Sequence, residues 1–423
     1  MSAEKNLFPY ELAVVAIFKG EAPYLNEWLD YHLLAGVDHF YLYNNDSTDN
    51  FEEVLSPYVA ANLVTLINFP GKTMQMPAYL DALNRFRFFC RYMAFIDLDE
   101  FIFPKTNQSI AEVVDEILFD EASSLAIGWR TFGSNGQKTA DYSRGVLERF
   151  TRRAPDKWQN IVQREEDFLR VGNMYVKLVT NPRRVKLFLG PHVASHFGTN
   201  HSVNEHGEKI DTYANESMSA DKIIINHYYL KSLEEFTRKS NRGSACLSSN
   251  DNKMLLFDAS DRNEIFDDGI LKYRAARAEN FYLESEEQRR RRAEKILIET
   301  LMQRTPFDAP PEFFVGKLET FLTCRALAEK FGTKIGTRSA EEFALVWINQ
   351  CFVQNNRFSY AELQLFMGVL PEILSRPFPL CKKLNQIARE KIFPVIYADL
   401  KASAEWSGFY DYDYVYRLLN AMK

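Results

Sequence analysis

The first hundred residues alternate between short apolar runs and segments in which apolar residues recur every three or four positions. The continuous apolar run 13–18 is typical of a strand buried on both faces, whereas 24–35 has helical spacing and stops at Gly36. This alternation predicts parallel βαβ units, with helices covering the faces of one sheet. The predicted strands are 13–18, 39–43, 63–67 and 92–96, and the predicted helices are 24–35, 51–55 and 75–89.

The pattern changes further along the chain. Strands are predicted at 125–129, 176–179 and 223–229, and helical periodicity dominates after about residue 280. We therefore predict an α/β domain with a mostly parallel sheet over 1–280 and a helical domain over 281–423. The helical domain is a candidate for acceptor binding, oligomerisation or docking on a membrane surface. The oligomeric state does not follow from the sequence.

Polar clusters follow three of the predicted strands directly. They lie at 19–21, 44–49 and 97–100. Ligands of open α/β sheets bind beyond the carboxyl ends of the strands, and parallel strands bring these ends to one edge. Any one cluster is most simply a solvated turn, but three at successive strand ends predict a binding site.

The acidic cluster is the sharpest of the three. Asp97, Asp99 and Glu100 follow an apolar strand, and carboxylates gathered at a buried strand end repel each other unless a cation lies among them. Mg²⁺ and Mn²⁺ take oxygen ligands from one or two carboxylates and complete their coordination with substrate phosphate. The pattern predicts a divalent metal and a phosphorylated ligand.

Five of the seven histidines fall between residues 192 and 227. His192 and His196 are four residues apart, which puts both on one face of either a helix or a strand. Together with Asp97 and Asp99, they leave open a two-metal site of the kind found in metal-dependent phosphohydrolases. A single imidazole that completes a carboxylate-bound metal site is the simpler interpretation.

Composition and charge narrow the class of protein. Lys and Arg total 51 against 57 for Asp and Glu, so no general positive field indicates nucleic-acid binding. The five cysteines are scattered without a CxxC pair, and no run of about 18 apolar residues predicts a transmembrane helix. The expected location is cytoplasmic, with peripheral contact at the inner membrane face as a further option.

Common nucleotide-binding signatures are missing. Gly71-Lys72-Thr73 lacks the upstream glycine of a P-loop, and no GxGxxG follows the first strand. Metal-assisted handling of a phosphorylated ligand therefore remains the best-supported chemistry.

The acidic cluster and its neighbours resemble the DxD-containing GT-A glycosyltransferases, and in particular glycosyltransferase family 92 and related family-2-like enzymes. The resemblance covers about residues 12–245 in the family's order. Its matching segments are 19–21 with 27–32, Gly36 with 40–49, Gln75, 97–101, Trp129 with 132–136, 148–150, and 225–228 with 231–236.

The resemblance implies a GT-A fold and the transfer of a hexose, with galactose one candidate, from a UDP-sugar to a glycan or glycolipid. It implies Mn²⁺ or Mg²⁺ held by Asp97, Asp99 and His227. An inverting reaction needs a carboxylate base, for which Asp141 and Glu148 are candidates, although Glu148 is alternatively a structural partner of Arg149 or Arg152. The implied nucleotide-sugar-binding residues are Lys19, Glu21, Asn45, Asp46, Gln75, Asp97, Gly133 and Asn135.

The expected role is in bacterial surface polysaccharide synthesis, because eukaryotic members of the family carry a membrane anchor that this sequence lacks. The phosphohydrolase stays open as the alternative, and a catalytically silent sugar-nucleotide-binding module is a third option. Linkage and acceptor identity depend on side-chain positions that sequence does not supply.

Overall fold

The structure is a computed structural model in which residues 8, 10–87, 89–163, 168–214, 219–241, 253–279, 281–285, 287–289 and 292 are described. The chain divides into two units, 1–289 and 290–423, and all the elements named below belong to the first. The predicted helical domain at 281–423 lies almost entirely outside the described residues and stays a prediction.

The first part of the chain alternates strand and helix as the sequence predicts, with bounds that differ by a few residues. Helix α2 continues beyond its predicted end at residue 55 and reaches Ala60, with Pro57 in its interior. The elements are β1 Tyr10–Phe18, α1 Ala22–Leu34, β2 His39–Asn44, α2 Phe51–Ala60, β3 Val64–Asn68, α3 Gln75–Phe86 and β4 Cys90–Phe95.

The middle of the chain is richer in strands. Helix α4 begins with a capping box in which Ser109 and Glu112 each accept a hydrogen bond from the other's backbone N–H. The elements are β5 Glu100–Pro104, α4 Ile110–Ile117, β6 Ala122–Thr131, α5 Val146–Arg149, β7 Arg152–Arg153, β8 Gln159–Gln163, β9 Phe168–Gly172 and β10 Val176–Thr180.

The last described part of the chain contains both strands and helices. Its elements are β11 Val185–Gly190, β12 Val193–His196, β13 His201–Val203, β14 Ile223–His227, α6 Leu233–Asn241, α7 Lys253–Ser260, β15 Ile265–Phe266 and α8 Gly269–Ala278. None of the helices among the described residues is long and apolar enough to cross a membrane.

One large sheet organises these elements, with strand order β3-β2-β1-β4-β10-β6-β14-β5 and with β13 paired to β6. The pairs among β1 to β4 are parallel, as the βαβ pattern requires. Strand β10 is antiparallel to both β4 and β6, and β5 is antiparallel to β14. The predicted α/β class with a mostly parallel sheet is confirmed.

Both faces of the sheet are buried, which explains the continuous apolar run of β1. Leu12 and Val14 face a core shared with Trp28 of α1, whereas Ala13 and Val15 face the opposite core. Side chains of a strand alternate between faces, so a strand covered on both sides is apolar at every position. This packing brings the carboxyl ends of β1, β2 and β4 to one edge of the sheet.

Candidate functional site

The turns after β1 and β2 are joined by hydrogen bonds. The Gly20 N–H donates to Ser47 Oγ at 2.9 Å, and the Ala22 N–H donates to Asp49 Oδ2 at 2.8 Å. Asp49 thereby satisfies a backbone donor at the start of α1, which has no other side-chain acceptor at its N-cap. The first two predicted clusters are therefore one structural unit.

Two predicted nucleotide-binding residues of the β2 turn hold the neighbouring backbone. The Asn45 side chain donates to the carbonyl oxygens of Phe69 and Gly71 at 3.0 and 2.9 Å. Asp46 has a φ of 57° and accepts from the Gly71 N–H at 3.2 Å. Asn45 is buried and Asp46 is exposed, so only the latter presents its side chain to solvent.

The acidic turn between β4 and β5 is closed by its own members. The Asp97 N–H donates to Glu100 Oε2 at 2.9 Å, and the Glu100 N–H donates to the Asp97 carbonyl oxygen at 3.1 Å. Leu98 is buried and anchors the turn in the core. The two aspartates consequently project from a fixed turn at the carboxyl edge of β4.

Asp97 is held by two polar side chains from different elements. Gln75, the first residue of α3, donates to Asp97 Oδ1 at 2.8 Å, and Lys177 of β10 donates to Oδ2 at 2.9 Å. Lys177 is 1% exposed, whereas the Asp97 side chain is 35% exposed. The structure thus brings the predicted Gln75 and Asp97 together.

Asp99 is almost fully buried between two cationic or titratable groups. Its Oδ2 pairs with the ammonium of Lys239, and its Oδ1 lies 3.6 Å from His227 Nε2. Burial alone would raise the pKa of Asp99, but Lys239 and His227 outweigh it and hold that pKa well below its usual range. Asp99 is therefore an ionised carboxylate in a buried setting.

Glu100 is enclosed beneath this turn. Its side chain is 0% exposed, its Oε1 has no hydrogen-bond partner among the described residues, and Lys177 Nζ lies 3.8 Å from its Oε2. Burial raises the pKa of Glu100 well above its usual range. The neighbouring Asp97 and Asp99 raise this pKa further, whereas the ammonium of Lys177 lowers it. A buried carboxyl beside two aspartates, with one oxygen that has no hydrogen-bond partner among the described residues, is suited to a site that receives a cation.

His227 ends β14 and packs its ring at 4.2 Å from the ring of Trp129. Burial lowers the pKa of His227 despite its contact with Asp99. The Trp129 ring also lies 5.2 Å from the ring of His192, so His192 approaches the same region. The family resemblance implied that His227 lies near Asp97 and Asp99, and the structure places its Nε2 3.6 Å from Asp99 Oδ1.

His192 and His196 have separate partners. His192 Nδ1 lies 2.7 Å from the Val176 carbonyl oxygen, and His196 Nε2 lies 2.7 Å from Ser124 Oγ. Burial lowers the pKa of each imidazole to about 4, so both are neutral. The structure gives them no shared orientation toward a second metal.

Helix α1 positions the strand that follows the acidic turn. Trp28 Nε1 donates to the Glu100 carbonyl oxygen at 2.9 Å, and the Tyr31 hydroxyl donates to the Ile102 carbonyl oxygen at 2.8 Å. The Ile102 N–H donates to His32 Nε2 at 3.3 Å. The segment 27–32 thus supports the site through the backbone of β5.

The glycine-containing loop 132–136 packs against a neighbouring loop. A Cβ on Gly133 would lie 2.3 Å from the Arg262 carbonyl oxygen, so only glycine fits there. The Asn135 N–H donates to Asn263 Oδ1 at 2.8 Å. The Phe132 N–H donates to the His227 carbonyl oxygen at 3.0 Å, which places Gly133 and Asn135 behind the candidate metal ligand.

The two candidate bases lie on the surface. Asp141 is exposed and accepts from the N–H and hydroxyl of Ser143 at 3.0 and 2.6 Å, and these bonds lower the pKa of Asp141. Glu148 of α5 pairs at 3.0 Å with Arg274, a different arginine from those the sequence suggested.

A cleft opens beside Asp99. It is lined by residues at the start of α1, namely Gly20, Glu21, Pro23 and Tyr24, and by residues of the segment 229–239, which include Lys231, Glu235, Arg238 and Lys239. The predicted Glu21 of this cleft is 6% exposed, and the predicted Lys19 is half-buried one residue before Gly20.

Three other potential ligand atoms lie within 4.8 Å of one another in the described part of the chain, at Glu205, His206 and Asp221. Glu205 already accepts four hydrogen bonds from the segment 219–223, so its oxygens are saturated by a turn. Asp97, Asp99 and His227 do not form so tight a group among the described residues.

Sequence reasoning did not identify Lys177 and Lys239 as site residues. Lys177 gives a usable signal, because a lysine within the buried apolar strand Val176–Thr180 requires a counter-ion. Lys239 has no comparable signal, since it follows polar residues on the amphipathic helix α6. Only the tertiary structure brings its ammonium to Asp99.

The fold and the site define an α/β protein in which an acidic turn and basic side chains meet at the carboxyl edge of parallel strands, where open α/β sheets bind their ligands. The chain belongs to glycosyltransferase family 92, whose family model matches residues 14–258. The family that the sequence resemblance indicated is confirmed.

Curated relatives are similar over part of their length. A glycosyltransferase family 92 protein of Oryza sativa subsp. japonica is 29% identical over 158 residues, which are 36% of this chain and 27% of that protein. A galactan beta-1,4-galactosyltransferase of Arabidopsis thaliana is 29% identical over 113 residues, 24% of this chain and 21% of that protein. The matched region therefore spans about a quarter of these relatives.

Among solved structures, S. aureus TarS 1–349 matches with 11% identity and a TM-score of 0.26, covering 87% of this chain and 93% of that chain.

Proposed function

We propose that the chain is a metal-dependent hexosyltransferase that moves a sugar from a UDP-linked donor to a glycan or glycolipid acceptor. Membership of glycosyltransferase family 92 supports sugar transfer, and similarity to a galactan galactosyltransferase supports galactose as a candidate donor sugar. The observation that carries the proposal is the acidic turn 97–100, which lies within the family-matched region beside a cleft with basic side chains.

The nucleotide is proposed to lie against the joined turns after β1 and β2. Lys19, Glu21 and Asp46 supply polar groups there, and Asn45 shapes the pocket by holding the backbone of residues 69–71. Gly133 and Asn135 are proposed to act indirectly, by supporting the backbone beside His227.

The residues present suit Mn²⁺ or Mg²⁺. Asp97 and Asp99 are hard oxygen ligands, His227 is a neutral imidazole, and the ammonium of Lys239 already places a positive charge against Asp99. When bound, the metal would neutralise negative charge on the departing diphosphate. Gln75 and Lys177 would fix the orientation of Asp97 through their two hydrogen bonds.

An inverting reaction requires a carboxylate that accepts the proton of the acceptor hydroxyl. We favour Asp141 over Glu148 because the adjacent Tyr142 contacts the cleft: its ring lies 6.1 Å from that of Tyr24, and its hydroxyl accepts from Arg238 at 2.7 Å. The lowered pKa of Asp141 keeps it ionised at neutral pH. The proposed acceptor belongs to a bacterial-type surface polysaccharide pathway at the inner face of the membrane.

Calorimetric titration with UDP, with Mn²⁺ or with EDTA, tests the donor and the metal. We expect Mn²⁺-dependent binding that Asp99→Asn weakens about tenfold or more, because a charge-assisted contact is lost. Asp268→Asn is the matched control, since Asp268 pairs only with Lys272 on another surface among the residues the structure describes. Equal UDP affinity in EDTA would overturn metal dependence, and phosphate release without sugar transfer would favour the hydrolase.

Kinetics of Asp141→Asn and Glu148→Gln test the base. We expect Asp141→Asn to lower kcat about a hundredfold or more with UDP affinity unchanged. Full activity of that variant, with a loss in Glu148→Gln instead, would assign the base to Glu148.

A further inference from the structure

The cleft that Lys239 lines has more basic than acidic side chains. It is lined by Lys231, Arg238 and Lys239 and by two carboxylates, Glu21 and Glu235, of which Glu235 is paired with Arg149. Arg238 is occupied at the rim, because it donates to the Tyr142 hydroxyl at 2.7 Å and to Glu234 Oε1 at 3.0 Å. The two lysines lie deeper and have different surroundings.

Lys231 is a buried lysine with no carboxylate at ion-pair distance among the described residues. It is 4% exposed, its ammonium lies 4.4 Å from the centre of the Tyr24 ring, and among the described residues no carboxylate oxygen lies within 4.0 Å of it. Its backbone has a φ of 57°, a conformation that non-glycine residues adopt rarely and at some cost in energy. The carboxylates of Glu21, Asp99 and Glu235 act on the Lys231 ammonium from further away, and none of them occupies its contact positions, so the ammonium is placed to contact an anionic ligand directly.

Lys239 differs because it has a carboxylate partner. Its ammonium pairs with Asp99 Oδ2 and lies 4.4 Å from the centre of the Tyr229 ring, and its side chain is 27% exposed. Asp99 is also the residue for which a divalent cation would compete. Lys239 therefore occupies part of the position that a metal would take.

We propose that this cleft receives the diphosphate of the donor, and that Lys239 exchanges its contact with Asp99 for a contact with that diphosphate when a divalent cation binds Asp99. This inference rests on the proposed function. With Lys177 and Lys239 in place, two aspartates face two ammonium groups, so a cation that arrived alone would meet little net negative charge. A cation that arrives with a diphosphate brings the anion that Lys239 needs once it leaves Asp99.

The exchange stabilises the ligand-bound site in two ways. Lys239 keeps an anionic partner throughout, so no buried ammonium is left unpaired. Lys231 gains a direct anionic contact in addition to the carboxylates that already act on it from further away, and its contact with Tyr24 holds it at the cleft. Cation and diphosphate should accordingly bind with positive coupling, each raising the affinity for the other.

The test measures ligand affinities of the full chain and its Lys239→Met and Lys239→Arg variants. Mn²⁺ affinity is measured by electron paramagnetic resonance, and affinities for UDP, uridine and inorganic pyrophosphate are measured by calorimetry at saturating Mn²⁺. Lys272→Met is the matched control, because it removes an exposed lysine whose partner is Asp268. Far-UV circular dichroism and urea midpoints establish that each variant is folded.

For Lys239→Met we expect tighter binding of Mn²⁺ alone, since a competing cation is removed, and about tenfold weaker binding of UDP and pyrophosphate. Uridine affinity should be unchanged, and Lys239→Arg should retain most of the diphosphate affinity. Unchanged UDP and pyrophosphate affinity, or weaker binding of Mn²⁺ alone, would overturn the inference.

The proposed UDP-sugar donor and the proposed role of Lys239 would be contradicted by different results. If the parent protein binds pyrophosphate through Lys239 but shows no preference for UDP over pyrophosphate, the diphosphate site stands and the UDP-sugar donor is wrong. If it binds UDP with Mn²⁺ and Lys239→Met does so equally well, the proposed function stands and the role of Lys239 is wrong.

Discussion

Glu235 is the residue that fixes helix α6, and its replacement by glutamine is the most informative test of how the site is held. It is 3% exposed, and its carboxylate accepts two hydrogen bonds from Arg149 at 2.9 and 2.7 Å. The Ser232 N–H and hydroxyl donate at 3.0 and 2.6 Å, and the Tyr24 hydroxyl donates at 3.0 Å. Lys239 lies one turn further along the same helix.

The contribution of Glu235 to the free energy of unfolding follows from the pKa of its carboxyl group. Burial would raise it, but the hydrogen bonds from Arg149 and Ser232 outweigh burial and lower the pKa from 4.5 to about 2. This shift of between two and three units corresponds to about 3 kcal/mol of stability at pH 7. Because the folded pKa is depressed, the contribution is present above pH 4.5 and is lost as the pH falls towards 2.

In urea denaturation at pH 7, the free energy of unfolding of Glu235→Gln should therefore be about 3 kcal/mol lower than that of the parent. At pH 3 the difference should be about half as large. Glu234→Gln is the matched control, since Glu234 is half-exposed and pairs with Arg238 at 3.0 Å on the surface. We expect it to change stability by less than about 1 kcal/mol.

Equal stability of the parent and Glu235→Gln at pH 7 would refute the reasoning. So would a difference that grows as the pH falls, because that sign requires a raised pKa in the folded state. If the variant is destabilised as expected, weaker UDP binding at a temperature where it remains folded would further indicate that Glu235 positions Lys239.

Three further predictions concern the supports of the site. His32 is neutral, with burial lowering its pKa to about 3, so it should account for about 2 kcal/mol of the stability that the parent loses between pH 7 and pH 5 in urea titrations, and His32→Gln should lose about 2 kcal/mol less than the parent over that interval; equal losses would contradict this. Gly133→Ala should lower stability by about 1–3 kcal/mol by differential scanning calorimetry, because its Cβ would lie 2.3 Å from a backbone oxygen; an unchanged Tm would show that the loop adjusts freely. Lys177→Met should cost about 3 kcal/mol in urea, since it removes the 1% exposed counter-ion of Asp97 and Glu100, and a more stable variant would show that burial of the lysine outweighs its pairing.

The sequence by itself determined the alternation of strands and helices in the first hundred residues, because β1 and its neighbours are covered on both faces and must be apolar throughout. It also determined that the turns after β1, β2 and β4 share an edge, since parallel strands with helical crossovers allow no other arrangement. The acidic turn at 97–100 was predictable for the same reason.

Only the tertiary structure decided which cations face that turn. Lys177 is 80 residues from Asp97 along the chain, and Lys239 is 140 residues from Asp99. No local pattern encodes such a pairing, because it depends on the antiparallel insertion of β10 beside β4 and on the docking of α6 through Glu235 and Arg149. Buried charged side chains that are distant in sequence come into contact only when the sheet and its helices have packed.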